Sequence, residues 1–589
     1  MFKHIRILVF ILILTMLVAS FAACNDTLEA ENSDSSSGET EATEKSTVEI
    51  PSFEETGILA VFVNDDYTLR VIRSEYADTI DKDAYTDLRN MLKSRTGKAP
   101  RTHTDFVGAY DEKYDGPAIL LGDTDYEESK ALHASLNNNQ YAAKLIGNKY
   151  VISFKCLQGY EEVLKKIRTK IRSCPSDYIT IDESWNIEGT LDNVSFVPDI
   201  DGGWDSSFDG GQGSTYCMKE DISAEEYDAY IEILKENGFE PYFENEINGC
   251  AFDLLYTESS IAYAMYFAND NIFKLSMDPR DTFALPTLEA ENVYEKTTQA
   301  TITQVGLGDS INNGMLYISK MSDGSFIIID GGLSASYIYD SLTELAGTTQ
   351  GIRVAAWLIT HHHNDHAEGF LKTAQRHADK LIVEKVIHCQ PRADQLRPGE
   401  GSDYEQVKDR IVNAIAYFKA TNPSLEEIKA HPGMEIYVRD AKFTILATID
   451  TVEPKIISNV NNASMVFRMQ VGEKSTIFLG DSEQLQTKAM YAMFGEDNFR
   501  CDGLQLAHHG YGNTNTGNDQ HIINEASNAT MVFCPVSTYH YNGGSANVKK
   551  MPQNALFIDN PDVDLHIGGE DNVTLDLYTY EQIGERWEP

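Results

Sequence analysis

Hydrophobic and polar positions divide the chain into five stretches. Residues 7–18 are almost wholly apolar. From Asn25 to about Thr56 large apolar residues nearly vanish. Between about Gly57 and Asp192 short apolar runs alternate with helical spacing. Residues 58–63, 118–121 and 150–154 read as strands; Tyr85, Leu88, Met91 and Leu92 fall at helical intervals and stop at Gly97. Val163, Leu164, Ile167 and Ile171 line one face of a second helix. This predicts a small α/β module. Gly202-Gly203 and Gly210-Gly211 mark the next boundary. Ser223 and Glu226 have the spacing of a capping box that opens a helix with Tyr227, Tyr230, Ile231 and Leu234 on its inner face, stopped by Gly238. Tyrosine-rich strands follow to about Leu285, giving a small α+β module whose aromatic residues fall at core periods. From Thr301 short β-branched strands alternate with Gly turns. The divisions are residues 1–23, 24–56, 57–192, 193–292 and 293–589.

The first two stretches form an address. Lys3 and Arg6 precede the apolar run, and Ala19-Ser20-Phe21-Ala22-Ala23-Cys24 follows it. A charged segment, a short apolar segment and small residues make a secretory signal, too short for a stable membrane span. Ala22-Ala23-Cys24 resembles the bacterial lipobox, with Phe21 in place of the usual Leu. That implies lipidation of Cys24, which becomes the mature amino terminus; ordinary secretion with cleavage near Ala23 is the alternative. The Ser-, Thr- and acid-rich residues 25–56 cannot bury enough surface to fold and read as a solvated tether. The expected location is the extracytoplasmic face of the cell membrane.

Composition then narrows the partners. Lys and Arg number 48 against 91 Asp and Glu, a net charge of −43. Such a surface repels nucleic acid and anionic membrane. Eight cysteines without a CxxC pair form no disulfide framework and read as buried small apolar residues.

The chemistry concentrates after residue 354. The apolar strand Val354-Ala355-Ala356-Trp357-Leu358-Ile359-Thr360 runs into His361-His362-His363-Asn364-Asp365-His366. Alternate side chains at a strand end point the same way, so His361 and His363 can converge on one metal. The turn brings Asp365 and His366 to a second, neighbouring position. Imidazole and carboxylate at this density suit zinc, with manganese or iron as alternatives. His362 is not counted as a ligand. Residues 367–377 read as a helix whose N-terminus lies at the site.

His361, His363, Asp365 and His366 match the HxHxDH motif, and the chain from about Thr301 to Leu577 resembles the metallo-β-lactamase superfamily. The resemblance implies an α/β fold, an αββα sandwich preceded by two small modules. It implies that Asp330, at the end of Phe326-Ile327-Ile328-Ile329-Asp330-Gly331-Gly332, buttresses the metal loop. Asp481, after Ile477-Phe478-Leu479-Gly480, would bridge two metals. His508 or His509 would be the last ligand, the strand-end position favouring His508. Within the superfamily the pattern resembles ComEC-type competence proteins, through Gln304-Val305-Gly306-Leu307-Gly308-Asp309-Ser310, Asn461-Asn462-Ala463-Ser464 and His508-His509-Gly510, with Tyr511 in place of a Ser. The usual third His of the first metal has no counterpart in a Gly-His-Thr setting. His377, His388 and His431 occupy that interval, and Asn461 or Asn462 stands near the expected place, so one metal or two are both compatible with the pattern. Asn461, Asn462 and His540 are candidate substrate contacts.

Such a ligand set lowers the pKa of a bound water and holds it as hydroxide, with Asp365 orienting it. The expectation is a surface-anchored metal-dependent hydrolase acting on a phosphodiester or ester. The alternatives are an extracellular nuclease, disfavoured by the acidity, and a non-catalytic lipoprotein that binds a cell-surface polymer.

Overall fold

A computed structural model describes residues 52–584 except 76, 78, 108–112, 156, 192–195, 291–294, 308–313, 392–394, 397–400, 453–456, 511–519, 537–562 and 568–571. Cys24, the signal segment, residues 25–51 of the tether, Gly308 to Ser310, Tyr511 and His540 lie outside the described residues. Among the described residues no helix is long and apolar enough to cross a membrane. Six cysteines there, Cys174, Cys217, Cys250, Cys389, Cys501 and Cys534, are free.

The first module carries a six-stranded sheet in the order Arg101–Thr104, Arg70–Arg73, Ala118–Leu121, Lys149–Phe154, Gln140–Ile146, Ile187–Thr190. The first four strands are parallel. Helices Thr79–Thr96 and Leu157–Ser173 cover one face, where Leu88, Leu92, Val163, Leu164, Ile167 and Ile171 meet Ile119, Leu121 and Ile152. Leu120 and Val151 pack beneath the opposite face with Leu132 of the helix Glu127–Ala134. Alternation along a strand buried on both sides explains the continuous apolar runs.

The second module is an antiparallel six-stranded sheet, Ser206–Gly211, Ser214–Lys219, Ile272–Pro279, Ser260–Phe267, Cys250–Tyr256, Glu240–Ile247. Its helix Ala224–Glu236 opens on a full capping box: Ser223 Oγ accepts from the Glu226 amide at 3.2 Å, and Glu226 Oε2 accepts from the Ser223 amide at 2.8 Å. Tyr227, Tyr230, Ile231 and Leu234 are buried against Leu255, Ala262 and Phe273. The opposite face of the same sheet joins another core. Phe252, Leu254, Tyr263 and Met265 are buried in one cluster with Met434, Ile436, Phe443 and Phe494 of the carboxy-terminal domain. Tyr263 donates to the Pro432 carbonyl at 2.9 Å, and the Phe252 ring lies where a Cβ on Gly433 would stand, 2.2 Å away.

The carboxy-terminal domain is an αββα sandwich. One sheet has nine strands, with Glu426–Lys429, Lys385–His388, Ile352–Ile359 and Phe326–Asp330 parallel and Leu316–Lys320, Thr301–Gln304, Val573–Asp576 and Gln582–Ile583 antiparallel beyond them. The other has seven strands and contains the parallel set Lys474–Phe478, Gly503–Gln505, Met531–Cys534 and Asp564–Ile567. Alternation separates the layers. Ile327, Ile329, Ala356 and Leu358 face the second sheet, while Ile328, Trp357 and Ile359 face helices Ala335–Ala346, Asn364–His377 and Gly401–Thr421. Parallel strands in both sheets end at the same rim, and the carboxy-terminal ends of such strands are where loops can converge on a ligand.

Candidate metal centre

Four strand ends supply the centre. Phe326–Asp330 ends on Asp330, and Ile352–Ile359 continues into Thr360 and His361. The next helix begins at Asn364, earlier than the pattern suggested, with His363 at its N-cap position and Asp365 in its first turn. An acid there suits the positive end of the helix dipole. The helix is pressed onto the turn after Asp330: the Gly369 amide donates to the Gly332 carbonyl at 2.8 Å, and a Cβ on Gly369 would lie 1.9 Å from the Gly331 carbonyl oxygen. Only glycine at 369 permits that approach. From the other sheet, Lys474–Phe478 leads to Asp481, and Gly503–Gln505 leads to the turn Ala507–Gly510. Gln505 Oε1 accepts from the Leu479 and Gly480 amides at 2.8 Å each, tying those two strand ends together.

The donor atoms form two overlapping groups, Asp365, His366, Asp481 and His509 on one side and His361, His363 and Asp481 on the other, with the atoms of each group within 4.8 Å of one another. The two oxygens of Asp481 divide between them. Its Oδ1 lies 3.1 Å from His366 Nε2 and 3.6 Å from His509 Nε2; its Oδ2 lies 3.8 Å from His361 Nε2. His509 Nε2 is 3.1 Å from Asp365 Oδ2, and His361 Nε2 is 3.1 Å from His363 Nδ1.

The surroundings fix which nitrogen of each ring faces inward. His366 Nδ1 donates to Asp330 Oδ2 at 2.6 Å, and His509 Nδ1 donates to the Pro535 carbonyl at 3.0 Å. Neither acceptor can donate, so Nδ1 carries a proton in both rings and Nε2 is turned to the centre. Asp330 is held in turn by the Thr360 amide and hydroxyl, both at 2.7 Å. With its proton given to Asp330, the Thr360 hydroxyl accepts from His361 Nδ1 at 3.2 Å.

A cation fits this donor set. His366 Nε2 and Asp481 Oδ1 are buried and face each other at 3.1 Å without hydrogen-bond geometry, leaving both without a hydrogen-bond partner. Buried polar atoms in that state are costly unless something satisfies them. Burial pushes His361 well below the ordinary imidazole range, aided by His366 and against Asp481. Burial opposes charge on His366 too, but Asp481, Asp330 and Asp365 together hold it well above that range. His509 is raised to about 9 against its burial, by Asp481 and by its bond to Asp365. Asp365 is pulled down to about 2, against burial, by His366 and His509. The acids call for positive charge, and no lysine or arginine among the described residues pairs with Asp330, Asp365 or Asp481.

The other residues singled out in the sequence fall outside both groups. His508 differs from the strand-end expectation. Both residues of the pair take positive φ, 51° for His508 and 54° for His509, and this tight turn sends His509 inward while His508 stays 27% exposed, its Nε2 3.9 Å from Asp481 Oδ2. Asn461 and Asn462 donate to Glu483 at 3.1 and 3.4 Å, as does Asn459 at 2.9 Å. Glu483 was not anticipated, although it stands two residues beyond Asp481. His362 is buried, and its carbonyl accepts from Arg410 at 3.2 Å.

His377 stacks flat on Tyr339. His388 pairs with Glu427 at 3.1 Å. His431 lies in a second buried cluster, where the middle module meets this domain. Its Nδ1 is 2.8 Å from Asp450 Oδ2 and its Nε2 3.4 Å from Asp278 Oδ2, while Lys429 Nζ is 2.8 Å from Asp278 Oδ1 and 3.1 Å from Ser276 Oγ. No sequence signal marked this cluster, because its members come from strands and loops far apart in the chain.

Residues 308–487 match the family described as the metallo-beta-lactamase superfamily, so the chain contains a domain of that superfamily. Solved structures with some likeness include CmlA, a diiron β-hydroxylase from Streptomyces venezuelae, at 13% identity over 48% of this chain and 55% of that one, with a TM-score of 0.31. A metallo-β-lactamase from Hirschia baltica is similar at 12% identity over 32% of this chain and 70% of that one, with a TM-score of 0.19. A Cronobacter sakazakii metallo-β-lactamase with a HARLDQ motif reaches 13% identity over 43% and 76%, with a TM-score of 0.21. The chain thus spans about half the length of the hydroxylase it is similar to. Likenesses this slight carry nothing about activity. None of the curated proteins matches.

Proposed function

We propose that the protein is a metal-dependent hydrolase of phosphodiesters or related esters, held at the extracytoplasmic membrane face by a lipid on Cys24. The observation that carries the hydrolase reading is the division of Asp481. One carboxylate faces two histidine groups with different oxygens, which is how a side chain bridges two cations. His361 and His363 would hold one ion; Asp365, His366 and His509 would hold the other. Nitrogen and carboxylate donors of this kind suit zinc, with manganese or iron as the alternatives.

Bound metal supplies Lewis acidity and lowers the pKa of water toward neutrality. The protein's own groups do the rest. Asp330 and the Pro535 carbonyl keep His366 and His509 in the tautomer that presents Nε2. Asp365 offers an oxygen on the centre's open side, where it can accept a proton from, and so orient, an attacking water. Partly exposed His508, whose Nδ1 lies 3.7 Å from Glu483 Oε1, stands beside the centre and can contact substrate, while buried Asn461 and Asn462 hold Glu483 from behind. The acidity of the whole chain disfavours a nucleic acid as the phosphodiester.

Metal analysis of the purified protein, combined with hydrolysis of bis(p-nitrophenyl) phosphate and p-nitrophenyl esters before and after chelation, tests the reading. One to two equivalents of transition metal and chelator-sensitive turnover are expected. A metal-loaded protein inert on all these substrates would leave a binding scaffold instead. Release of the protein from the membrane fraction by Cys24→Ser tests the anchor separately.

A further inference from the structure

One cavity among the first two modules lies far in sequence from the metal ligands. It measures about 720 Å³ and opens where the first module meets the segment leading into the second. That is the volume range of small-molecule sites. Its walls come from three places. The first module supplies Asp81, Asp123, Phe154 and Lys155; the connecting segment supplies Asp199 and Trp204; and the edge strand Ser206–Gly211 adds the hydroxyls of Ser206 and Ser207.

The walls are built and braced. Asn138 joins the two modules, donating from Nδ2 to Thr215 Oγ1 at 2.9 Å and accepting the Val197 amide at 2.8 Å. Trp204 lines the cavity while its indole packs on Tyr230 and Phe273, with ring centroids 5.2 and 5.3 Å away. Gly122, at φ +74°, leaves room for the Asp81 carboxylate, whose two oxygens would each lie 2.4 Å from a Cβ placed there. Asp205 at the rim is paired with Lys219 at 3.2 Å.

The chemistry of the lining selects a ligand class. Asp81, Asp123 and Asp199 bring three carboxylates against the single amine of Lys155, which repels phosphate and other anions. Burial pushes the Lys155 amine below the ordinary lysine range, with Asp199 and Asp123 pulling it back up, and it bonds to no described residue. Acceptors, a donor and hydroxyls surround a space with an aromatic ring on one wall. A molecule dense in hydroxyls, with a C–H face for the ring, satisfies both kinds of wall.

We propose that this cavity is a saccharide-binding site, taking a short, uncharged sugar chain. The site would bring a sugar-bearing polymer to a protein whose metal centre is in another domain.

The test uses the full chain. Calorimetry is run with cellobiose, maltose and chitobiose, and with inorganic phosphate and Ca²⁺ in parallel. At least one saccharide is expected to bind, and phosphate is not. Asp123→Asn changes an exposed side chain and leaves the fold intact; it should weaken the saccharide about tenfold or more, the usual scale for losing a charged hydrogen-bond acceptor. Trp204→Ala should abolish binding, and Lys155→Met, which removes the amine from the wall, should weaken it; circular dichroism of each variant checks that it is folded. Metal content should be the same in all three. The proposal falls if no saccharide binds, or if both Asp123→Asn and Lys155→Met bind as the parent does. It also falls if phosphate or Ca²⁺ takes the site instead.

Discussion

Among the described residues, two buried clusters of histidines and aspartates invite comparison, and one of them reads as a metal centre. At the rim of the sandwich, His361, His363, His366 and His509 surround Asp365 and Asp481. At the junction with the middle module, His431 sits between Asp278 and Asp450. The difference is in what neutralises the acids. The junction closes on itself: Lys429 pairs with Asp278, Lys274 donates to the Asp450 carbonyl, and Thr448 donates to Asp450 Oδ2 at 2.9 Å. At the rim, by contrast, no lysine or arginine among the described residues reaches the carboxylates, and facing donor atoms are left without a hydrogen bond. A buried charge must be paired or must coordinate a metal. Residue types alone do not separate the two cases; the supply of compensating cations does.

The largest expected effect breaks the comparison on the metal side. Asp481→Ala removes the shared ligand, so phosphodiester hydrolysis should fall by orders of magnitude and metal content should drop, while circular dichroism stays native. Activity that survives both this variant and chelation would show that the rim cluster is as self-contained as the junction.

Removing one member of the junction should cost folding rather than metal. His431→Ala leaves Asp450 and Asp278 buried with less compensation, a loss of about 3–5 kcal/mol for a broken buried pair. Denaturant unfolding checks the loss, and metal content per folded protein should not change. A variant of parent stability would mean that the junction charges contribute nothing net.

A subtler change sharpens the contrast within the metal centre. Asp330 touches no metal group directly, yet it sets the tautomer of His366. Asp330→Asn should weaken metal binding about 10–100-fold, the usual cost of losing such a support. Competition with a chromogenic chelator measures it.

The smallest effect is in pH dependence. Burial opposes charge on every member of the junction, but Asp450 and Asp278 raise His431 above its ordinary value of about 6.5. Its contribution is therefore complete below about pH 6.5 and is lost as pH rises through the raised value. Asp450 is lowered against burial by His431, and Asp278 by Lys429 and His431. Their contribution is complete above about pH 3.9 and is lost as pH falls through the lowered values. The junction should thus be firmest between about pH 4 and 6.5. Melting curves of the parent and of His431→Gln should differ in their alkaline limb; identical limbs would remove His431 from the account.

The shared core bears on how the domains can be separated. The stretch around residue 292 divides the sheets, because among the described residues no sheet takes strands from both sides of it. Phe252 and Tyr263 are nevertheless buried with Ile436 and Phe494 in one cluster. A fragment beginning at residue 293 would expose that face to water, so its solubility depends on a partner surface that strand patterns do not reveal.

Local pattern was enough wherever the physics is local. Alternation, capping and the strand-to-HxHxDH passage placed the main elements, and the motif put His361, His363, Asp365 and His366 within a few residues of one another. Asp330 and Asp481 were legible only through the family resemblance, each at the end of an apolar strand beside a glycine. The tertiary structure decided what depends on groups distant in the chain. Two positive φ values and the Pro535 carbonyl turn His509 inward in preference to His508. Asp481 divides its oxygens only because strands of two sheets end at one rim. His431 is an ion-pair partner because Asp278 arrives from another module. A side chain's residue type sets which bonds it can make, but which bonds it does make is set by neighbours that only folding brings within reach.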